Sequence, residues 1–303
     1  MAQGRLTALV GPLELATPLV AASGTVGAVW EWAEVAPLAP WGAAVAKSVA
    51  PEPWPGRRPP RLAPTRVGML NGIGIQNPGI EAWVAGNAHR IQALEIEVWG
   101  SAVAGSPDGY ALVAGRLAEA GVTAVEINLS CPNLDDGVMF SFDPGASAAV
   151  VDAVRRATTV PIGAKLSPDS PDIVASASAC AQAGADFVVL TNTAAGLGIS
   201  LQTRLPLLSA GPGGYSGPGL KPISLRCVYE VHRALPELPI VGCGGVLTGE
   251  DVAEYLVAGA SAVEVGTLLL SEPAAGSRVL SELVEVLDRL GIAGVTGLTM
   301  AAG

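Results

Sequence analysis

The sequence predicts an α/β chain closed into a (β/α)8 barrel with long loops at its C-terminal face, and three observations predict it. Eight short apolar runs alternate with amphipathic helical stretches along the 303 residues. Such alternation calls for a parallel sheet, and eight repeats suggest a closed one rather than an open one. Helix-ending glycines recur just before strands, in EAGV (119–122), QAGAD (182–186) and VAGAS (257–261). Three connections are much longer than barrel loops usually are, and all three leave the C-terminal ends of strands.

Taken in order, strands are expected over residues 19–22, 43–46, 98–103, 124–128, 162–166, 187–190, 240–242 and 262–265. Helices are expected between them, clearest over 107–120, 146–157, 172–183 and 221–235. The long connections are 49–79, rich in Pro and Arg, 130–144 after the fourth strand, and 193–219, rich in Gly, Ser and Pro. They carry no evident structure of their own, so a functional or mobile role is expected for them. Neither G-x-G-x-x-G nor G-x-x-x-x-G-K-[ST] occurs, which weakens a dinucleotide fold or a P-loop. No linker composition and no further repeat is visible, so residues 1–303 are expected to form a single domain.

Composition narrows the function. Half the residues are hydrophobic and 15% are charged, enough for a large core. No apolar run nears the roughly 20 residues of a spanning helix, and residues 1–10 lack a signal-peptide layout. A cytoplasmic protein is expected. A net charge of −10 argues against nucleic acid, whose phosphates need a basic face. The cysteines (Cys131, Cys180, Cys227, Cys243) form no C-x-x-C pair, so neither a metal site nor a disulfide framework is expected. His89 and His232 fall in helical patterns and read as packing or surface residues.

Polar residues gather at the strand ends: Ser23-Gly24, Lys47-Ser48, Ser101, Asn128, Lys165 and Asn192-Thr193. Gly244-Gly245 and Gly266-Thr267 follow strands seven and eight, the slots of a barrel phosphate site. Either pair alone would read as a tight turn; both together favour a phosphate-bearing cofactor. Against fourteen arginines there are three lysines, and Lys47 and Lys165 each end an apolar strand. A buried ammonium needs a partner: a barrel carboxylate, with Glu126 the best candidate, or an electron-rich cofactor edge. Lys221 is left without a role. In EINLSCPN (126–133) Cys131 follows a strand end, precedes Pro and is flanked by amides, which suits a positioned thiol. Ser130 is its neighbour, but a thiol ionises far more readily near neutral pH. The other three cysteines read as inert core residues.

KSVAPEPWPGRRPPR, GMLNGIGIQNPG, NLSCPN, KLSP, GGYSGPGLKPISLR and GCGG…VGT, in this order and spacing, resemble the motif series of class 1 dihydroorotate dehydrogenases over nearly the whole chain. GIQNPG is more similar to the NAD-linked class 1B branch than to the fumarate-using 1A branch. Class 2 enzymes carry Ser where Cys131 stands. The resemblance implies FMN across the barrel mouth, with Ala22, Ser23 and Gly24 along its ring. Lys47, Ser48, Ser101, Asn128 and Lys165 would stand near its polar edge, and Gly217, Gly244, Gly245, Gly266 and Thr267 near its phosphate. Asn71, Gly74, Asn128, Asn133 and Asn192, assisted by Lys47 and Thr193, would hold the substrate.

The implied reaction oxidises dihydroorotate to orotate, a step of UMP synthesis, with Cys131 taking the C5 proton while hydride leaves C6 for the flavin. The resemblance also implies a homodimer and a separate subunit carrying FAD and a [2Fe–2S] cluster, which passes electrons to NAD. Ser141 and Ser200 depart from the pattern, where Gly and Asp are common. Rival readings are a dihydropyrimidine dehydrogenase-like reductase of uracil or thymine, a flavin-free phosphate-binding lyase or isomerase, and a non-catalytic scaffold.

Overall fold

Strand-forming runs rich in Val, Ile and Ala, buried on both faces, build the centre of the molecule. The computed structural model describes residues 3–129 and 139–299. Its barrel strands are β1 (Leu19–Ala21), β2 (Ala43–Val45), β3 (Glu97–Ala102), β4 (Ala124–Asn128), β5 (Ile162–Leu166), β6 (Phe187–Leu190), β7 (Ile240–Cys243) and β8 (Ala262–Val265). Each pairs in parallel with its sequence neighbour, and β8 pairs with β1, so the sheet closes in simple order. The eight expected strands are therefore all present, with ends shifted by at most one residue.

The connecting helices are α1 (Trp30–Ala33), α2 (Ile80–Ile91), α3 (Pro107–Glu119), α4 (Pro144–Ala157), α5 (Ile173–Gln182), α6 (Lys221–Ala234), α7 (Gly249–Val257), α8 (Leu268–Ser271) and α9 (Ala275–Leu290). Their starts are chemically marked. Ser106 accepts from the Gly109 N–H before α3, Asp143 from Gly145 and Ala146 before α4, and Asp172 from Ala175 before α5. Pro opens α3 and α4, where its missing N–H costs nothing. Lys221, left open by sequence, starts α6 and ties it to α7 through Asp251 at 2.6 Å and Glu254 at 2.8 Å. Among the described residues no helix is long and apolar enough to cross a membrane.

Side chains alternate across the strands, so one set faces the helices and the other fills the barrel. Trp99, Phe187, Val20, Val45, Val189 and Val241 pack inside. Gly163 makes this possible, because a Cβ there would stand 2.2 Å from the Phe187 ring. An antiparallel hairpin, Ala8–Val10 with Leu13–Leu15, seals the barrel at the N-terminal ends of its strands. Its Ala8, Val10 and Leu15 join the interior cluster.

The long connections differ from the expectation. Two of them form strands of their own: Leu62–Thr65 and Gly68–Asn71 from the first, Ala194–Gly196 and Gly213–Ser216 from the third. They assemble into one antiparallel sheet over the barrel mouth. Strands of three or four residues containing Gly and Pro carry no local signal; pairing between distant segments creates them.

Candidate active site

The C-terminal ends of the barrel strands and the overlying sheet enclose a cleft of about 270 Å³. It is lined by Ala22, Ser23, Gly24, Lys47, Ser48, Asn71, Asn128, Lys165, Asn192, Thr193, Gly244, Gly245, Gly266 and Thr267. Fourteen residues singled out from sequence thus meet in one place. A larger groove of about 800 Å³ lies outside the barrel against α6, α7 and α9, lined by Leu225, Tyr229, Val257 and Leu290 among others. It holds none of the predicted site residues, so chemistry and not size identifies the site.

Three predicted residues stand outside the lining. Ser101 is buried beneath it and shares a 2.8 Å hydrogen bond with the Ser48 hydroxyl. Gly74, with φ of 71°, packs against Arg57, where a Cβ would come within 2.6 Å of Arg57 Cγ. Gly217 backs the cleft, its carbonyl 2.9 Å from the position of a Cβ on Gly245. Cys131, Asn133 and the adjacent Ser130 lie outside the described residues.

A polar chain crosses the cleft from strand to strand. Asn128 at the end of β4 donates to Ser48 Oγ at 3.4 Å and accepts from Asn192 Nδ2 at 3.2 Å. Asn192 in turn accepts from the Thr193 N–H at 2.7 Å. Asn71, on the overlying sheet, donates to the Gly214 carbonyl at 3.2 Å. The Tyr110 hydroxyl from α3 donates to the Asn128 carbonyl at 2.8 Å, fixing the strand end. Asn128 and Asn192 hold each other and Asn71 is held by the backbone, and an amide side chain can offer both donor and acceptor to a ligand whose edge alternates the two.

On the opposite side, Gly24 has φ of 90° and nothing within 4 Å of where its Cβ would point. A flat group can therefore approach the backbone there. Gly244 and Gly245, with φ of 133° and 72°, turn the chain after β7. Thr267 donates its hydroxyl to Ser216 Oγ at 2.8 Å, joining β8's end to the mouth sheet. A Gly245→Ala change would bring Cβ within 2.6 Å of the Lys221 amide nitrogen and force a left-handed alanine. It is expected to destabilise the fold by about 1–3 kcal/mol and to reduce the bound-cofactor content of the purified protein. Denaturant midpoints and absorption after denaturation measure the two effects.

Beneath the cleft, Lys165 on β5 is 6% exposed. Its Nζ lies 2.5 Å from Glu264 on β8 and 3.5 Å from Glu126 on β4. Glu126 was the carboxylate expected from sequence; Glu264 is the nearer partner. Its signal was present in Ala262-x-Glu264-x-Gly266, an acid on the inward register of an apolar strand. Burial pulls the ammonium down, but the charges of Glu126 and Glu264 outweigh it and hold Lys165 above the ordinary lysine range.

The three described thiols are all kept protonated. Burial pushes Cys180 up to about 12 and Cys227 up to about 11. It also raises Cys243, which lines the cleft, well above its ordinary value despite the nearby Lys165.

Comparison with known proteins identifies a family for the chain. The profile of the family described as dihydroorotate dehydrogenase matches residues 5–287. The "Dihydroorotate dehydrogenase B (NAD(+)), catalytic subunit" of Desulforudis audaxviator is 42% identical, covering 97% of this chain and 96% of its own. Proteins of the same name from Pelobacter propionicus (41% identical, 98% of each chain) and Listeria monocytogenes (40%, 97% of each) are similar. A crystal structure of DHODH in complex with ferulenol from Eimeria tenella aligns with a TM-score of 0.79 over 96% of this chain and 86% of that one. At 21% identity it speaks to the fold alone.

Proposed function

The chain belongs to the dihydroorotate dehydrogenase family, and from that premise we propose that it is the catalytic subunit of a class 1B enzyme. It would oxidise (S)-dihydroorotate to orotate in pyrimidine synthesis. The observation that carries this reading is the meeting of Lys47, Asn71, Asn128, Asn192 and Thr193 around one cleft beside an open Gly24 backbone. We take residues 1–303 as one cytoplasmic FMN-binding domain.

The open face at Gly24 and the glycine turns after β7 and β8 fit FMN. Ala22, Ser23 and Gly24 would lie along its ring. Lys47, Ser48 and Lys165 would face its polar edge, with Ser101 and Asn128 steadying Ser48. Gly244, Gly245, Gly266 and Thr267 would receive the phosphate, backed by Gly217. When bound, FMN supplies the two-electron acceptor for the hydride that leaves C6.

Asn71, Asn128, Asn133 and Asn192 would hold the substrate's ring amides and carboxylate, assisted by Lys47 and Thr193, with Gly74 shaping the approach beside Arg57. Asn128 and Asn192, which brace one another, present fixed donors and acceptors, which would orient the C5 proton toward one base. Cys131 is that base. The three other thiols are held protonated by burial, whereas Cys131 stands three residues after Asn128, the last residue of β4, which lines the cleft. Cys131 takes the C5 proton as a thiolate and returns to the thiol.

Among the described residues no cluster of His, Cys, Asp or Glu could hold a metal. The relatives are named as catalytic subunits, and on that ground electrons would leave through a separate subunit, which we read as carrying FAD and a [2Fe–2S] cluster and serving a homodimer of this chain. Anaerobic mixing with dihydroorotate tests the reading. The bound flavin is expected to bleach and to be reoxidised by NAD only when that subunit is added. Bleaching by dihydrouracil in place of dihydroorotate, or full-rate NAD reduction by the chain alone, would overturn it.

A further inference from the structure

The proposed reaction uses Lys165 but leaves unused the buried ionisable groups gathered around it at the floor of the cleft. Glu126, Lys165, Cys243 and Glu264 come from β4, β5, β7 and β8 and point into the barrel above its apolar filling. Glu126 and Glu264 are 1% and 0% exposed. Tyr255 stands behind Cys243 and donates its hydroxyl to the Gly244 carbonyl at 2.7 Å, and Lys47 lines the cleft above. Two carboxylates thus share one ammonium in a nearly dry compartment. Fully ionised, the three would carry a net negative charge on side chains almost closed to solvent, which is costly. One oxygen of each acid, Glu126 Oε1 and Glu264 Oε1, accepts no hydrogen bond. A single proton removes the excess charge and gives one acid a donor for the other.

We propose that Glu264 is a positioning residue that fixes the Lys165 ammonium under the cleft, while Glu126 holds a proton shared toward Glu264, so that the three groups carry no net charge. The two acids are unequal. Burial and the Glu264 charge raise Glu126 well above the carboxylate range, against the pull of Lys165. Glu264 is buried as deeply, yet the charge of Lys165 and the hydrogen bond it donates hold it below that range. The geometry agrees, since the ammonium stands 1 Å closer to Glu264 than to Glu126, at 2.5 Å against 3.5 Å. The arrangement presents Lys165 to the cleft as a donor of fixed position whose charge is already balanced below.

The consequence for the cofactor rests on the FMN reading; the proton count does not. The infrared spectrum of the flavin-free protein at neutral pH tests the latter, because ionised surface carboxylates are silent in the carboxylic-acid carbonyl region. One such band is expected in the wild type. It is expected to vanish in E126Q, which leaves Glu264 ionised beside Lys165. It is expected to vanish also in E264Q, where Glu126 becomes the only counter-charge. Absence of the band from the wild type, or its survival in either variant, would overturn the proposal, and the wild-type spectrum decides alone if a variant fails to fold. In the flavin-loaded proteins, E264Q is expected to shift the midpoint potential and E126Q, which mimics the protonated acid, to leave it in place. Equal shifts, or none, remove the positioning role. Failure of every form to bind flavin would defeat the FMN reading, and the infrared result would then stand as the test.

Discussion

Replacing Cys131 by serine is expected to lower dihydroorotate turnover at neutral pH by on the order of 10²- to 10⁴-fold, the usual contribution of a positioned base. FMN content and orotate binding should persist, since the residues assigned to both are untouched. The hydroxyl is nearly isosteric with the thiol, so packing is not the cause. What changes is the ionisable fraction: a free thiol titrates near 8.5, whereas an alkyl hydroxyl stays protonated throughout the working range. Turnover of the variant should accordingly climb with pH. Stopped-flow flavin reduction across pH, with flavin content measured on the same samples, checks both statements. A variant that reduces its flavin at the wild-type rate would remove Cys131 from the mechanism. None of the described thiols could then replace it without first overcoming the burial that keeps each protonated.

The second large effect is expected from Lys165→Met. Methionine matches the length of the stem but removes the charge between two buried acids. Removing one partner of a buried ion pair costs about 3–5 kcal/mol, and the urea midpoint of the flavin-free protein at pH 7 should fall accordingly. The pH dependence has a definite sign. In the wild type Glu264 is held below the ordinary carboxylate range, so its contribution is present above the unfolded value and lost as pH falls. Without the ammonium, burial raises both acids instead, and the folded variant gains from protonating them. Its deficit against the wild type should shrink as pH drops through the carboxylate range. A deficit that is small, or that widens toward acid, would contradict the charge balance described for this cluster.

The eight barrel strands were legible because a strand buried on both faces must be apolar throughout, and its ends show as Lys47, Asn128, Lys165 or Asn192. Those same interruptions marked the cleft, which is why so many site residues were readable together. Glu264 was not read as Lys165's partner, since 99 residues separate the two and only barrel closure makes them neighbours. Ser101 was read as a cofactor contact, yet it supports Ser48 from below, a distinction that depends on depth. Gly217 was read as near the phosphate and Gly74 as near the substrate, without revealing what crowds them, which is Gly68 for the first and Arg57 for the second. The mouth sheet was invisible, because RLAPT and GGYS become strands only through each other's neighbours.

That sheet has a bearing on the order of assembly. It joins Asn71 to Gly214, 143 residues apart, and such a pairing gains little until the intervening barrel has brought the two segments together. The amides proposed to hold substrate, on the sheet and on the barrel rim, are therefore expected to meet only late in folding. A chain that has regained its helices and its closed barrel is still without a complete binding site. Local opening of the mouth can likewise dismantle the site while the barrel beneath stays folded.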